Sequence, residues 1–227
     1  MPRRSVVLSF LVTLGLPLTA AASGVELRLG AFFPRAESTL FDDTSELFTA
    51  DRDDWTEFSG GLEYTFRVAP KIHLGLHVDG YQETLHTSYR DFTFESGREI
   101  TQSLKLSVVP LGASIRFVPI DRKGAITPYI SVGPDVIFYE YEEFGDFIDF
   151  DTADFTGADV INDAFFSEGA AFGFHVSGGV RIPLNRDWSV LGEGRYQWAE
   201  DDMGDDFRGS GLDLSGFSGY FGIRLDF

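Results

Sequence analysis

Three residues in the last third of the chain have the types and the order that a serine nucleophile site requires. His175 and Ser177 lie two residues apart, and Glu193 follows on the next segment. In such a site the imidazole accepts the proton of the serine hydroxyl, and the carboxylate orients the ring. A histidine in a polar interior network gives the same pattern without catalysis. The elements that carry these residues decide between the two.

A second chemical feature is a run of carboxylates between residues 140 and 168 that contains no Lys or Arg. Carboxylate oxygens suit calcium, and Asp149, Asp151 and Asp154 are the most tightly spaced of them. The run lacks the D-x-[DN]-x-[DN]-G pattern of a calcium loop, and a solvated acidic surface is the more usual explanation. Interleaved phenylalanines favour a packed segment or a partner-binding surface: Phe144, Phe147, Phe150 and Phe155.

The elements that carry these residues are predicted to be β-strands, because apolar residues alternate with small or charged ones. In the C-terminal segment one face carries Phe217, Phe221, Ile223, Leu225 and Phe227, and Arg224 belongs to the other face. Seven further segments alternate in the same way. The predicted strands are Val25–Phe33, Trp55–Val68, Ile72–Thr84, Ile100–Val118, Thr127–Tyr139, Ala170–Ile182, Trp188–Trp198 and Leu212–Phe227.

The gaps between these strands are long and short in strict alternation. The polar stretches 85–99 and 140–168 are long, whereas Ala69-Pro70-Lys71 is a tight turn signal. Long connections at one rim and tight turns at the other are typical of barrels that cross a membrane. The sequence therefore predicts an all-β fold: an eight-stranded antiparallel up-and-down transmembrane β-barrel with long extracellular loops and short periplasmic turns.

The two faces of the predicted strands suit two different surroundings, lipid outside the barrel and a polar interior. Aromatic residues near the segment ends suit the headgroup levels of a bilayer. Those near the short-turn rim are Tyr64, Phe66, Phe117 and Trp188, and those toward the other rim are Phe33, Phe58, Phe138, Tyr196 and Trp198. On this basis Phe217, Phe221, Ile223, Leu225 and Phe227 are predicted to face lipid.

The inner face contains acids and bases in similar numbers. Its members are Glu26, Arg28, Glu63, Arg67, His73, His77, Asp79, Lys105, Arg116, Asp135, His175, Arg181, Glu193, Arg195 and Arg224. An eight-stranded barrel is narrow enough for side chains to fill, and buried charges must be paired or hydrated. We therefore predict a lumen plugged by ion pairs, with Arg224 directed at Glu26 or Glu193.

One predicted strand changes its pattern half-way. Leu104, Leu106 and Val108 share one parity with each other, but Leu111 and the apolar residues after it have the opposite parity. A β-bulge inserts one residue and tolerates a proline. The sequence predicts a bulge at Val109-Pro110, which would place Lys105, Ser107 and Arg116 on the same face.

Composition and the N-terminus set the compartment. A formal charge of −18 argues against nucleic-acid binding, and there is no cysteine for a disulfide. Arg3 and Arg4 precede a short apolar run and small residues that end at Ala22, which predicts a cleaved signal peptide over 1–22 and a single mature domain over 23–227. Losing these two arginines takes the charge from −18 to −20.

The mature chain resembles the small outer-membrane β-barrel proteins, including the OmpA-like barrels. The resemblance rests on 110–117, 128–133, Glu193-x-Arg195-Tyr196 and the terminal strand. It implies residence in the outer membrane of a Gram-negative-type bacterium, contact with lipids and lipopolysaccharide, and a structural, adhesive or limited solute-passage (porin-like) role. It also implies that the assembly machinery recognises the strand ending in Phe227. A peptidoglycan-binding domain, frequent after OmpA-like barrels, is not expected after Phe227.

Two alternatives from other functional classes stay open. The order of His175, Ser177 and Glu193 is similar to that of outer-membrane lipid A deacylases, but the alternation predicts that all three point into the lumen. A secreted soluble barrel with an apolar ligand cavity would have the two faces exchanged. The favoured prediction is a non-enzymatic barrel with no catalytic, cofactor or metal site, whose acidic loops contact divalent cations or an extracellular partner.

Overall fold

The computed structural model describes residues 23–120, 126–149 and 159–227. Its strands are β1 (Ser23–Pro34), β2 (Glu57–Ala69), β3 (Ile72–Thr93), β4 (Glu99–Phe117), β5 (Thr127–Asp149), β6 (Asp159–Pro183), β7 (Trp188–Asp202), β8 (Gly211–Asp213) and β9 (Gly216–Asp226). Helix α1 spans Thr39–Leu47, and short 3₁₀ turns span Arg52–Trp55 and Asp205–Phe207. No helix in these ranges is long and apolar enough to cross a membrane. The predicted signal peptide, Asp151 and Asp154 lie outside the described residues.

Eight of the strands close into one antiparallel ring, as predicted. Neighbours along the chain pair from β1 to β7, and β9 closes the ring by pairing with both β7 and β1. The closing register sets Glu26 opposite Arg224 and Val25 opposite Leu225. A closed ring leaves no unpaired strand edge, which is the condition for a sheet to lie in lipid. The short β8 pairs only with the end of β7.

The outer wall carries a belt of exposed apolar side chains. Phe172 and Phe221 are 84% and 79% exposed, the values of side chains that contact almost no protein neighbour. The five predicted lipid-facing residues of β9 and the C-terminus are all exposed, from 37% to 79%. Aromatic pairs mark both ends of the belt: the rings of Phe174 and Trp198 stack at 4.7 Å, and those of Tyr64 and Phe227 lie 6.4 Å apart. The prediction that these apolar side chains face outward is confirmed.

The strands are longer than predicted, and two predicted loops are mostly strand. The stretch 85–99 is part of a hairpin in which β3 continues to Thr93 and β4 begins at Glu99. Likewise, β5 and β6 take up most of 140–168 and pair as far as Asp149 and Asp159. A membrane strand needs about 9–11 residues, whereas β3, β5 and β6 have 22, 23 and 25. The excess extends beyond the apolar belt, where polar residues on the outer face meet water.

The predicted bulge at Val109-Pro110 is wrong. The pairing of β4 with β3 and β5 keeps one register past these residues. Leu104, Leu106 and Val108 point inward and are at most 1% exposed. Beyond the membrane the outside solvent is water, so the apolar face turns to the inside while the backbone register stays the same. The sequence pattern changed because the solvent changed.

Because the sequence has no cysteine, single-cysteine variants test this inversion directly. We expect Lys105→Cys and Ser107→Cys to react with a water-soluble maleimide in the folded protein, because both positions face outward above the belt. Leu106→Cys should stay protected until the barrel is unfolded. Equal labelling of Leu106→Cys and Lys105→Cys would show that the inward register of β4 is wrong.

Candidate functional site in the barrel interior

Arg28 occupies the centre of the lumen and contacts three carboxylates from three other strands. Its guanidinium donates to Glu63 at 2.7 Å, to Asp79 at 2.8 Å and to Glu193 at 3.0 Å. Arg28 and Glu193 have fully buried side chains. Strand alternation brings these groups together, since each is inward-facing on its own strand. Arg195 approaches from β7 and donates to Asp79 at 2.7 Å.

The same contacts continue toward the rim that carries the tight turns. Arg116 donates to Glu26 at 2.7 Å and to Glu63 at 2.8 Å. Arg224 donates to Glu26 at 2.6 Å, which confirms one of the two predicted partners. We call this set the ion-pair network: Glu26, Arg28, Glu63, Asp79, Arg116, Glu193, Arg195 and Arg224. It contains equal numbers of arginines and carboxylates and joins strands around most of the ring.

Two aromatic residues line the ion-pair network, and the sequence interpretation did not place them there. The Tyr129 hydroxyl donates to Glu193 at 2.9 Å, and its ring lies 4.1 Å from the guanidinium carbon of Arg116. The ring of Tyr220 lies 5.3 Å from the guanidinium carbon of Arg28. Both residues fall on the inward-facing parity of their strands, and this alternation is the sequence signal that could have placed them in the lumen. Rings stacked on guanidinium groups contribute cation–π attraction in a desolvated interior.

A glycine on the inner face makes room for these charges. A Cβ at Gly61 would lie 2.0 Å from the Asp79 carboxylate. An alanine there would displace Asp79 from Arg28. Small residues on the inner parity therefore belong to the site as much as the charged ones do.

Not every charged residue predicted for the lumen lies in the network. Lys105 is on the outer wall above the belt, where it donates to Glu142 at 3.0 Å and Glu140 at 3.2 Å. The prediction that Lys105 faces inward with Arg116 is wrong. Without a bulge in β4, the two residues point to opposite faces of the sheet. Arg67 and Arg181 are half-buried, not buried. Arg181 lies 3.6 Å from Asp226 at the end of β9.

Above the network the interior is apolar, and the segment between β1 and β2 folds into the mouth of the barrel. Trp55 is 1% exposed and packs edge-on against Phe41 of α1 at 5.5 Å. Its ring lies 6.3 Å from that of Tyr141, and its carbonyl accepts a hydrogen bond from Tyr81. We call this segment, 35–56, the cap. The sequence pattern predicts a loop up to Asp54 and a strand from Trp55, whereas Trp55 ends a 3₁₀ turn and β2 begins at Glu57. Packing against distant strands leaves no periodic signal.

Two titratable groups of the cap region have shifted pKa values. Burial raises the pKa of Tyr141, and the neighbouring Glu143 carboxylate raises it further. The Tyr141 hydroxyl donates to Glu143 at 2.7 Å, while burial raises the pKa of Glu143 as well. These shifts follow from an apolar interior beyond the belt, since desolvation disfavours the charged form of both groups.

Two histidines and an aspartate form a separate cluster beside the ion-pair network. His175 Nδ1 lies 2.9 Å from Asp135 Oδ2, and His77 Nε2 lies 3.1 Å from Asp135 Oδ1. The two imidazole rings are perpendicular with centroids 4.8 Å apart. All three residues are at most 3% exposed. Each was predicted for the lumen, but their association was not.

The residues of the predicted serine site are not arranged as a catalytic triad. Ser177 Oγ is buried and has no hydrogen-bond partner among the described residues. The imidazole of His175 bonds to Asp135, and Glu193 is held by Arg28, Arg116 and Tyr129. All three lie inside the barrel, as the alternation predicted, behind a continuous wall of strands. This arrangement provides no serine nucleophile at a lipid-accessible surface.

Comparison with solved structures identifies the architecture. OprG, an outer membrane protein from Pseudomonas aeruginosa, superposes with a TM-score of 0.56 at 13% identity, over 91% of this chain and 96% of that one. A major outer membrane protein from Thermus thermophilus gives 0.51 at 10% identity, over 92% and 100%. Neisserial surface protein A gives 0.50 at 13%, over 92% and 98%. This chain has the fold of a small outer-membrane β-barrel protein. No protein-family model and no curated protein matches the sequence.

The two rims of the barrel differ. The start of β1 and the end of β9 lie at the rim with the tight turns, and the cap lies at the other rim. The apolar belt and the charged interior have the arrangement opposite to that of a soluble ligand-binding barrel. The soluble-barrel alternative is therefore wrong for the half of each strand that lies at the level of the apolar belt. The chain thus has the outer-membrane barrel fold, with a polar interior and strands that extend beyond the apolar belt at the rim that carries the cap.

Proposed function

We propose that the protein is a closed outer-membrane barrel with a structural or adhesive role at the cell surface. In this proposal no solute crosses the lumen, and contact with partners takes place on the extracellular extension. One observation supports it above all: the ion-pair network spans the lumen with buried side chains at 2.6–3.0 Å. The apolar cap core above it adds a second barrier of different chemistry.

The proposed closure follows from the energetics of both barriers. Moving an ion through the network requires separating buried ion pairs in a low-dielectric interior, which costs several kcal/mol per charge. Passing the cap requires displacing Trp55 and Phe41 from a packed aromatic cluster. At the level of the ion-pair network each strand pairs with both of its neighbours, so the wall offers no way around that barrier.

Swelling of proteoliposomes tests the proposal. Vesicles that contain the folded protein should swell in isosmotic arabinose at the rate of protein-free vesicles. A general porin reconstituted at the same protein-to-lipid ratio serves as the positive control. Porin-like swelling would refute the closed barrel and favour the solute-passage role.

The acidic exterior of the β5–β6 hairpin is the proposed contact surface. Glu168 is exposed on this outer face, and Asn162 of the same face donates to Asp146 at 3.1 Å on the neighbouring strand. Lipopolysaccharide is also anionic, so we propose that divalent cations bridge the two. The variant Asp146→Asn/Glu168→Gln should lower calcium-dependent binding to lipopolysaccharide, whereas Asp43→Asn/Glu46→Gln on α1 should not. Equal binding by both variants would refute this surface.

We further propose that residues 1–22 are removed on export and that Phe227 is read by the barrel assembly machinery. The Phe227 backbone exchanges hydrogen bonds with Ser23, and its side chain is 55% exposed on the outer wall. Deleting Phe227 should cost little folding energy, because it removes one terminal backbone pair and a ring that, among the described aromatic residues, lies beside Tyr64. We expect a several-fold lower amount in the membrane for the deletion in cells, with near-normal refolding in detergent. Normal membrane levels would contradict recognition of Phe227.

A further inference from the structure

The cluster of His77, Asp135 and His175 has the donor atoms of a transition-metal site. One donor atom from each residue lies within 4.8 Å of the other two. Imidazole nitrogen and carboxylate oxygen are the ligands of zinc sites with three protein ligands and one open position. The three donors stand on β3, β5 and β6, so the closed barrel, not a local loop, fixes their positions.

Strand register creates the space in which these donors meet. Gly112 pairs with His77 on one side and with Asp135 on the other. A Cβ at Gly112 would lie 1.9 Å from the Asp135 carboxylate and 2.6 Å from the His77 ring. Side chains two strands apart therefore lean over a glycine and converge, which is a precondition for a shared ion.

Charge accounting sets Asp135 apart from the rest of the lumen. Within the ion-pair network the arginines and carboxylates balance. Among the described residues Asp135 pairs with no arginine or lysine, and its only ion-pair contacts are the two imidazoles. A buried carboxylate requires a compensating positive charge. A divalent cation held between the carboxylate and the two imidazoles supplies that charge directly.

The hydrogen bonding of the histidines is incomplete as well. His77 Nε2 is 3.1 Å from Asp135 but lacks hydrogen-bond geometry toward it. His77 Nδ1 and His175 Nε2 also have no hydrogen-bond partner in the described part of the chain. The ring nitrogen that faces the carboxylate thus has a free coordinating position, within a residue that is 3% exposed.

We propose that His77 Nε2, His175 Nδ1 and the Asp135 carboxylate bind one divalent first-row transition metal ion, with Zn²⁺ as the reference ion. The two imidazoles favour this class over calcium or magnesium, which prefer all-oxygen ligands. The ion would tie β3, β5 and β6 together and neutralise Asp135. This site is independent of the proposed surface role, since it lies inside the barrel.

Metal content of the refolded full-length protein tests the site. The protein is unfolded with a chelator, refolded into detergent with Zn²⁺, freed of excess metal by gel filtration and assayed for zinc per folded chain. We expect one ion per wild-type chain. His77→Ala, His175→Ala and Asp135→Asn should bring zinc to background. The other two histidines provide matched controls: His73→Ala and His86→Ala should keep one ion.

Two readouts separate loss of metal from loss of folding. Heat-modifiable gel migration gives the folded fraction of each variant, and zinc is expressed per folded chain. In the wild type, Co²⁺ should give the visible d–d absorption of a low-coordinate nitrogen and oxygen site, and Zn²⁺ should abolish it. Folded wild-type protein without zinc, or equal zinc loss in His73→Ala and His175→Ala, would overturn the proposal.

Discussion

The Arg28→Ala variant is expected to lose about 3–5 kcal/mol of folding free energy. The substitution removes the cation that Glu63, Asp79 and Glu193 share at 2.7–3.0 Å. Arg116 and Arg195 remain, but they already have their own carboxylate contacts. The buried negative charges then lack compensation, and the barrel must take up protons or water. Urea titration of protein folded in lipid vesicles, followed by heat-modifiable gel migration, measures the loss.

Two controls connect this loss to buried charge. Arg98→Ala removes an arginine whose side chain is 70% exposed and 3.9 Å from Asp146, so its effect should stay within about 0.5 kcal/mol. Adding Glu63→Gln to Arg28→Ala should recover part of the stability, because one unpaired carboxylate is removed as well. Unfolding of Arg28→Ala at the wild-type urea concentration would show that the network does not stabilise the barrel.

The Trp55→Ala variant should open the cap. Replacing a fully buried tryptophan by alanine costs about 3–5 kcal/mol, and this one packs against Phe41 and lies near Tyr141. The cost falls on a segment that lies outside the ring of paired strands, so local unfolding precedes loss of the barrel. Limited proteolysis of reconstituted protein should show new cuts within 35–56, while the membrane-level strands stay protected.

The matched control is Leu47→Ala in the same segment. Leu47 is 43% exposed at the end of α1, and its truncation should leave the cleavage pattern unchanged. Identical proteolysis of Trp55→Ala and wild type would mean that the cap is held by other contacts than the aromatic cluster.

The sequence predicts the membrane-level half of the barrel well, because one physical contrast governs it. There, lipid outside and charge inside produce strict alternation, so the strand number, the closing pair β1–β9 and the inward position of Arg224 follow from the pattern. Glu26 and Arg28 were assigned to the lumen by parity alone, and both are fully buried. Parity gives the face of a residue but not its partner, which explains why the His77–Asp135–His175 cluster was missed.

The half of the barrel beyond the apolar belt departs from the predicted pattern for an equally physical reason. Above the belt both the outer solvent and the inner packing change, so Leu104 and Leu106 turn inward without any change of register. Polar outer faces made 85–99 and 140–168 look like loops, although most of them are strand. The position of Trp55 depends on contacts with residues far along the chain, and no local pattern encodes it.

Single-channel recording in planar bilayers tests the closed lumen most directly. Purified wild-type protein, inserted at a density verified by folded-state gel migration, should show no stable conductance step in concentrated salt. Arg28→Ala/Trp55→Ala, which weakens both barriers, should give brief openings once inserted at the same density. Stable nanosiemens steps from the wild-type protein would contradict the closed barrel.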